Sequence, residues 1–121
     1  MKSYTTLEQS HKLAEILSTE SADMKYPYFG NGLYGEIARV GEPIEFSGGK
    51  DISCWSLAAL LDVLNKAAYF MNEDASVHLS SYKTIKWTVR IDNSDLEPIT
   101  EADPIDACVQ MILKLHELNL L

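Results

Sequence analysis

Positive charge is scarce in this chain: ten Lys and Arg stand against eighteen Asp and Glu, a net charge of −8. A field of that sign repels phosphate backbones and anionic lipid, which disfavours direct nucleic-acid binding and docking on membrane surfaces. Long apolar runs are missing as well. No stretch approaches the ~18 residues of a membrane span, and residues 1–8 hold no apolar h-region. A cytoplasmic protein is therefore expected. Cysteine is limited to Cys54 and Cys108, with no Cys-x-x-Cys pair. Both are expected on helices among apolar neighbours, where a free thiol acts as a small hydrophobe. The glycines sit at turns, and neither Gly-x-Gly-x-x-Gly nor a Gly-rich loop ending in Gly-Lys-Ser/Thr occurs, so no phosphate-cradling loop is expected.

Catalytic and metal-binding patterns are equally sparse. His11, His78 and His116 fall on three different expected elements with no ligand-like spacing, whereas zinc sites usually announce themselves through paired ligands. No metal, cofactor or catalytic residue is assigned. Ser56 lacks a Gly-x-Ser-x-Gly elbow and is accounted for as a helix N-cap. Glu73 and Asp74 are adjacent, so their side chains diverge, where a carboxylate pair must converge. Cys54 precedes a helix, a position that can activate a thiol, but the usual burial of Cys favours a small core residue beside Trp55.

What the chain does contain is one strong amphipathic segment, residues 54–65. Leu57, Leu60, Leu61 and Leu64 recur at i, i+3, i+4 and i+7, one face of a helix. Ser56 is its expected N-cap, and Trp55 stands where a hydrophobic staple would pin the entering chain to Leu60. Ala58, Val63 and Ala67 widen the stripe, so little of this helix is expected to face water. Its end is open between Asn65 and Phe70. At 121 residues a single domain over 1–121 is expected, burying ~65% of the unfolded surface without help from disulfides.

A first helix is expected over Thr6–Leu17, opened by a capping box of Thr5 with Glu8 or Thr6 with Gln9. Residues 25–52 are the least regular part. Tyr26, Tyr28, Phe29 and Tyr34 surround a Gly30-Asn31-Gly32 turn, and as aromatics they suit either an interface or a lid over the core. Strand character is expected at 33–40 and 44–46. Residues 76–82 alternate, and Ile85, Trp87, Val89 and Ile91 alternate more clearly with Thr84, Lys86, Thr88 and Arg90, which predicts an antiparallel hairpin turning near Ser81–Thr84. Residues 93–102 read as a polar loop. Asp103, Pro104 and Asp106 then open a third helix, with Ile105, Cys108, Met111, Ile112 and Leu115 as its apolar stripe and Leu118, Leu120 and Leu121 docking after it.

Two further surface patterns bear on partners. Asp92, Asp95, Glu97, Glu101, Asp103 and Asp106 form a run with no Lys or Arg between Arg90 and Lys114, either a solvated face or an acidic docking surface for a basic partner. Lys86, Arg90, Lys83 and Tyr82 on the outer hairpin face form a basic patch smaller than nucleic-acid binders usually carry.

Certain blocks resemble one family. Thr6-Leu7-Glu8-Gln9-Ser10 with Leu13 and Leu17, Ser21-Ala22-Asp23-Met24, Trp55-Ser56-Leu57 with Leu60, Leu61 and Leu64, Trp87, and Asp103-Pro104-Ile105-Asp106-Ala107 with Met111 are similar to small uncharacterised proteins of gut bacteria, many sited in prophages or mobile elements. Residues 25–52 lie outside the resemblance. Members often close the middle helix with proline, where this chain has Asn65-Lys66. The resemblance implies a genomic setting and carries over no catalytic residue.

The expected fold is α+β: three helices on one face of a small antiparallel sheet, with a hairpin at about 76–91. The expected function is a non-enzymatic accessory or protein-interaction protein of a phage or mobile element. It would act on an unidentified protein partner, and a homodimer is compatible with so small an aromatic-bearing domain. The alternatives are an acidic decoy of a nucleic-acid-binding host protein, or a small enzyme whose site the sequence does not display.

Overall fold

A computed structural model describes residues 1–45 and 50–121. Helix α1 spans Leu7–Ala14. Of the two candidate capping boxes, Thr6 with Gln9 forms: Gln9 N–H donates to Thr6 Oγ1 at 3.1 Å and Thr6 N–H to Gln9 Oε1 at 2.9 Å. The helix stops before the expected Leu17. The N–H groups of Ile16 and Leu17 both bond the Leu13 carbonyl, and Ser18 caps a new single turn over Thr19–Ser21. A serine that can accept from Glu20 N–H offers the backbone a second start in a new direction.

Strand β1, Met24–Tyr26, follows and lies at the centre of a small antiparallel sheet, between β4 (Ala38–Arg39) and β5 (Ile52–Cys54). Between them β2 (Tyr28–Gly30) and β3 (Leu33–Tyr34) make their own hairpin. The single strand expected over 33–40 is therefore two strands in two sheets. Gly35 lies between them, where a Cβ would run into the Phe29 ring. Of the strand expected at 44–46, Ile44 and Glu45 are not extended into a sheet, and Phe46 lies outside the described residues. Cys54 is on β5, not on a helix.

Helix α2 spans Leu57–Met71, so it runs past Asn65 and ends at Asn72. Ser56 is its N-cap, accepting from Ala59 N–H at 3.2 Å. More of α2 faces water than its sequence suggests. The 3.6-residue period turns Ala58, Asp62, Asn65 and Lys66 outward, and Tyr69 and Phe70 are 63% and 85% exposed.

The main hairpin pairs β6 (Ser76–Tyr82) with β7 (Lys86–Asp92) in unbroken antiparallel register from Ser76↔Asp92 to Tyr82↔Lys86. Ile85 was expected to point inward with Trp87 but sits in the turn, 60% exposed. Lys83 and Thr84 both have positive φ, and Ile85 N–H closes on the Tyr82 carbonyl at 3.1 Å. Two left-handed central residues are what a tight hairpin turn needs, and they lift Ile85 off the strand. The supposed polar loop at 93–102 contains β8, Ile99–Glu101, so β7 is the central strand of three. Helix α3, Pro104–Glu117, opens as its start signals require, with Asp103 Oδ1 accepting from Ile105 N–H at 2.9 Å.

The class is α+β, three helices beside small antiparallel sheets. Helices α2 and α3 pack on each other and on β6–β7–β8, while α1 rests on β5 and touches α3. The core runs through Leu13, Trp55, Leu60, Leu64, Val89, Ile105, Met111, Ile112 and Leu115.

Trp55 ties the two ends of this arrangement together. It is fully buried, yet its indole N–H donates to Ser21 Oγ at 2.9 Å. Its backbone exchanges bonds with Thr5, through Thr5 N–H to Trp55 O at 2.9 Å and Trp55 N–H to Thr5 Oγ1 at 3.1 Å. Asp23 accepts from Ser56 N–H at 2.9 Å and from the Ser56 hydroxyl. Truncating Trp55 to Ala should cost about 3–5 kcal/mol, and Asp23→Ala about 1–2 kcal/mol. Urea unfolding of the two variants checks both values, the larger loss belonging to Trp55.

Candidate functional site

The polar side chains nearest the middle of the molecule are engaged with one another. Thr5 and Ser10, both buried, share a hydroxyl hydrogen bond of 2.8 Å, and the Cys54 thiol lies 3.4 Å from both Thr5 Oγ1 and the Thr5 carbonyl. Burial pushes the Cys54 thiol up, more than its hydrogen bonds with Thr5 and Ser10 bring it down. Cys108 is pushed up to about 12 by burial alone. Both cysteines are free and buried. The helix-start activation considered for Cys54 is absent, since the thiolate is disfavoured where the thiol sits.

The histidines do not converge. His11 meets the Tyr34 ring edge-on at 6.2 Å, His116 is exposed near the end of α3, and His78 lies on the outer hairpin face. There Nε2 of His78 is 2.8 Å from Asp92 Oδ2 and 3.0 Å from Ser76 Oγ. A catalytic triad needs the carboxylate and the serine on opposite ring nitrogens; here both address the same one, in the open. Among the described residues no three His, Cys, Asp or Glu are grouped as a metal would require.

The basic patch on the same face is partly neutralised, because Arg90 Nε lies 3.1 Å from Asp92 Oδ1. Lys83 stands over the Tyr82 ring at 5.5 Å. The acidic run of 92–106 is divided in the same way. Asp92 belongs to this outer face, Asp95 and Glu97 are exposed in the loop, and Asp103 and Asp106 hold the N-terminal segment through Lys2 N–H and Lys2 Nζ, each at 2.7 Å.

Tyr26 is one of the lids: its hydroxyl donates to the Thr5 carbonyl at 2.9 Å, and burial, then Cys54, raises its pKa. The Tyr28 and Tyr34 rings meet at 5.0 Å, tilted by 47°, across the β2–β3 hairpin. Phe29 and Leu33 stay out at its tip, 43% and 64% exposed.

Two of the open clefts among the described residues bear on function. A polar one of about 410 Å³ lies between α1 and α3, with Lys2, Glu8, Gln9, Lys12, Glu101 and Asp106 on its walls. Asp106 is occupied there by Lys2 and by Gln9 Nε2, the latter at 2.7 Å. The other is an almost wholly apolar groove of about 400 Å³, walled by Leu17, Val63, Ala67, Phe70, Leu120 and Leu121. Its far wall depends on how α3 ends. Asn119 takes a left-handed φ of 59°, Leu120 N–H reaches back to the Leu115 carbonyl at 2.8 Å, and Asn119 N–H to His116 O at 3.0 Å. That is a Schellman closure, which folds the next residues back on the body. Leu120 and Leu121 are accordingly 40% and 41% exposed.

The groove was not visible in the sequence. Its only local sign is the pair Tyr69-Phe70, which falls off the apolar stripe of α2. No protein-family model, curated protein or solved structure matches this chain. Among the described residues no helix is long and apolar enough to cross a membrane.

Both thiols should resist alkylation in the native protein at pH 8 and react fully once urea is added, as mass spectrometry would record. Native Cys108 holds its proton up to about pH 12, while the unfolded thiol, near 9.0, releases it earlier. The folded state then binds more protons in that window, so stability is intact below about pH 9 and falls as pH rises toward 12. Urea midpoints taken across pH 8–11 should decline, less so in Cys108→Ala after correction for its own cavity.

Proposed function

We propose that this chain is a non-enzymatic interaction protein that serves a phage or mobile element by docking a protein partner in the Phe70 groove. The observation that carries this reading is Phe70 itself, an aromatic ring 85% exposed at the lip of an apolar groove. Large aromatics in or beside a desolvated pocket are the usual anchors of protein interfaces. The charge of −8 adds an overall preference for a basic partner, and the groove, whose charged lining residue is Lys66, suits the apolar face of a helix. The engagement of Thr5, Ser10, Ser21, Asp23 and Ser56 in the fold supports a role that asks no chemistry of them.

The test is a pull-down from bacterial lysate at low and high salt, with wild type and Phe70→Asp side by side. Phe70→Asp should keep its stability within about 0.5 kcal/mol, as exposed substitutions do, and lose a groove-bound partner at least about tenfold. A partner held at high salt by wild type but not by Phe70→Asp supports the reading. One held equally by both and released by salt points instead to an acidic decoy. No specific partner in either condition overturns both.

A further inference from the structure

The hairpin leaves one feature of the molecule unsatisfied. Strand β6 lies at the edge of its sheet, in the order β6–β7–β8. Its seven-residue register with β7 runs from Ser76↔Asp92 to Tyr82↔Lys86 without a shift. Among the described residues no backbone hydrogen bond reaches β6 on its other side. Half of its N–H and C=O groups therefore face away from β7. Edge strands are normally blunted by lysine, proline, a bulge or a covering element, and Ser76–Tyr82 contains none of these. On the helix-facing side Val77 and Leu79 are only half-buried, as they would be with one neighbour strand missing.

We propose that two copies of this chain pair antiparallel along β6, joining their three-stranded sheets into one of six strands. Charge selects both the occupant and the direction. The strand itself carries no Asp, Glu, Lys or Arg, so the net charge of −8 is kept off the seam. Glu73 and Asp74 precede β6 and Lys83 follows it. Among the described residues none of the three has an ion-pair partner in its own chain. A two-fold centred on Leu79 sets Leu79 against Leu79 and Val77 against Ser81 on the helix side. On the outer side it sets His78 against Ser80 and Ser76 against Tyr82. It also brings Lys83 of each copy opposite Ala75 of the other, next to Asp74. A parallel pairing would instead place acids beside acids and lysine beside lysine. The self-complementary arrangement is what an isologous interface requires. It is independent of the Phe70 groove, which lies on the α1 and C-terminal side of α2.

Sedimentation velocity over a wide range of protein concentration, at low salt, should show a reversible dimer. Lys83→Glu should weaken it roughly tenfold, since two symmetric contacts turn from attractive to repulsive, and Asp74→Lys in the same chain should restore it. Under mild oxidation Leu79→Cys should link copies covalently, because directly opposed residues bring their Cβ atoms close, whereas Tyr82→Cys should not. A protein that stays monomeric overturns the proposal. So does a dimer that ignores the Lys83→Glu and Asp74→Lys exchange, or one that Phe70→Asp dissolves while Lys83→Glu leaves it intact.

Discussion

The burial of Trp55 is the constraint on which the rest depends. Enclosing an indole costs least when its N–H keeps an acceptor, and for Trp55 the acceptor is the hydroxyl of Ser21, 34 residues earlier in the chain. That bond fixes where the chain leaves the short turn after α1. From there Met24 falls opposite Cys54 in the β1–β5 pair, and Asp23 is delivered to the N-terminus of α2, where its carboxylate meets Ser56. Thr5 closes the same junction from the other side. The sequence blocks Ser21–Met24 and Trp55–Leu57 thus form the two halves of one joint.

This joint also bears on function. Hydroxyls, a thiol and a carboxylate lie close together at the base of α2, which in another protein would suggest catalysis. Here each has its partner within the fold, and burial holds the Cys54 thiol in its protonated form. The chemistry-bearing side chains of this joint are committed to structure. Two features of another kind lie open among the described residues: the exposed ring of Phe70 beside an apolar groove, and the edge of β6. Both suit recognition of another polypeptide, one by side-chain packing and one by backbone pairing.

Signals written in adjacent residues were legible. Thr6 with Gln9, Ser56 before its leucine stripe, and Asp103-Pro104 each start a helix where the sequence says, because a cap needs only neighbours within one turn. The hairpin of β6 and β7 was legible from alternation alone. Ile85 was misplaced because two consecutive left-handed residues, neither of them glycine, do not advertise themselves. The strand Ile99–Glu101 is three residues long, too short for a period to show. The split between Leu33–Tyr34 and Ala38–Arg39 follows from the passage of Phe29 over Gly35, a contact made by hairpin folding.

By itself the sequence determined the α+β class, the three helix starts, the main hairpin and the apolar surface available for a core, since each is a property of residues within a few positions of one another. Tertiary structure decided the rest. It chose the side of α2 on which Phe70 would be left uncovered, folded Leu120 and Leu121 back to complete a groove, divided the acidic run among different partners, and left β6 rather than β7 at the sheet edge. The physical reason is common to all four. Exposure and partnership are relations between elements distant in the chain, settled only when those elements pack.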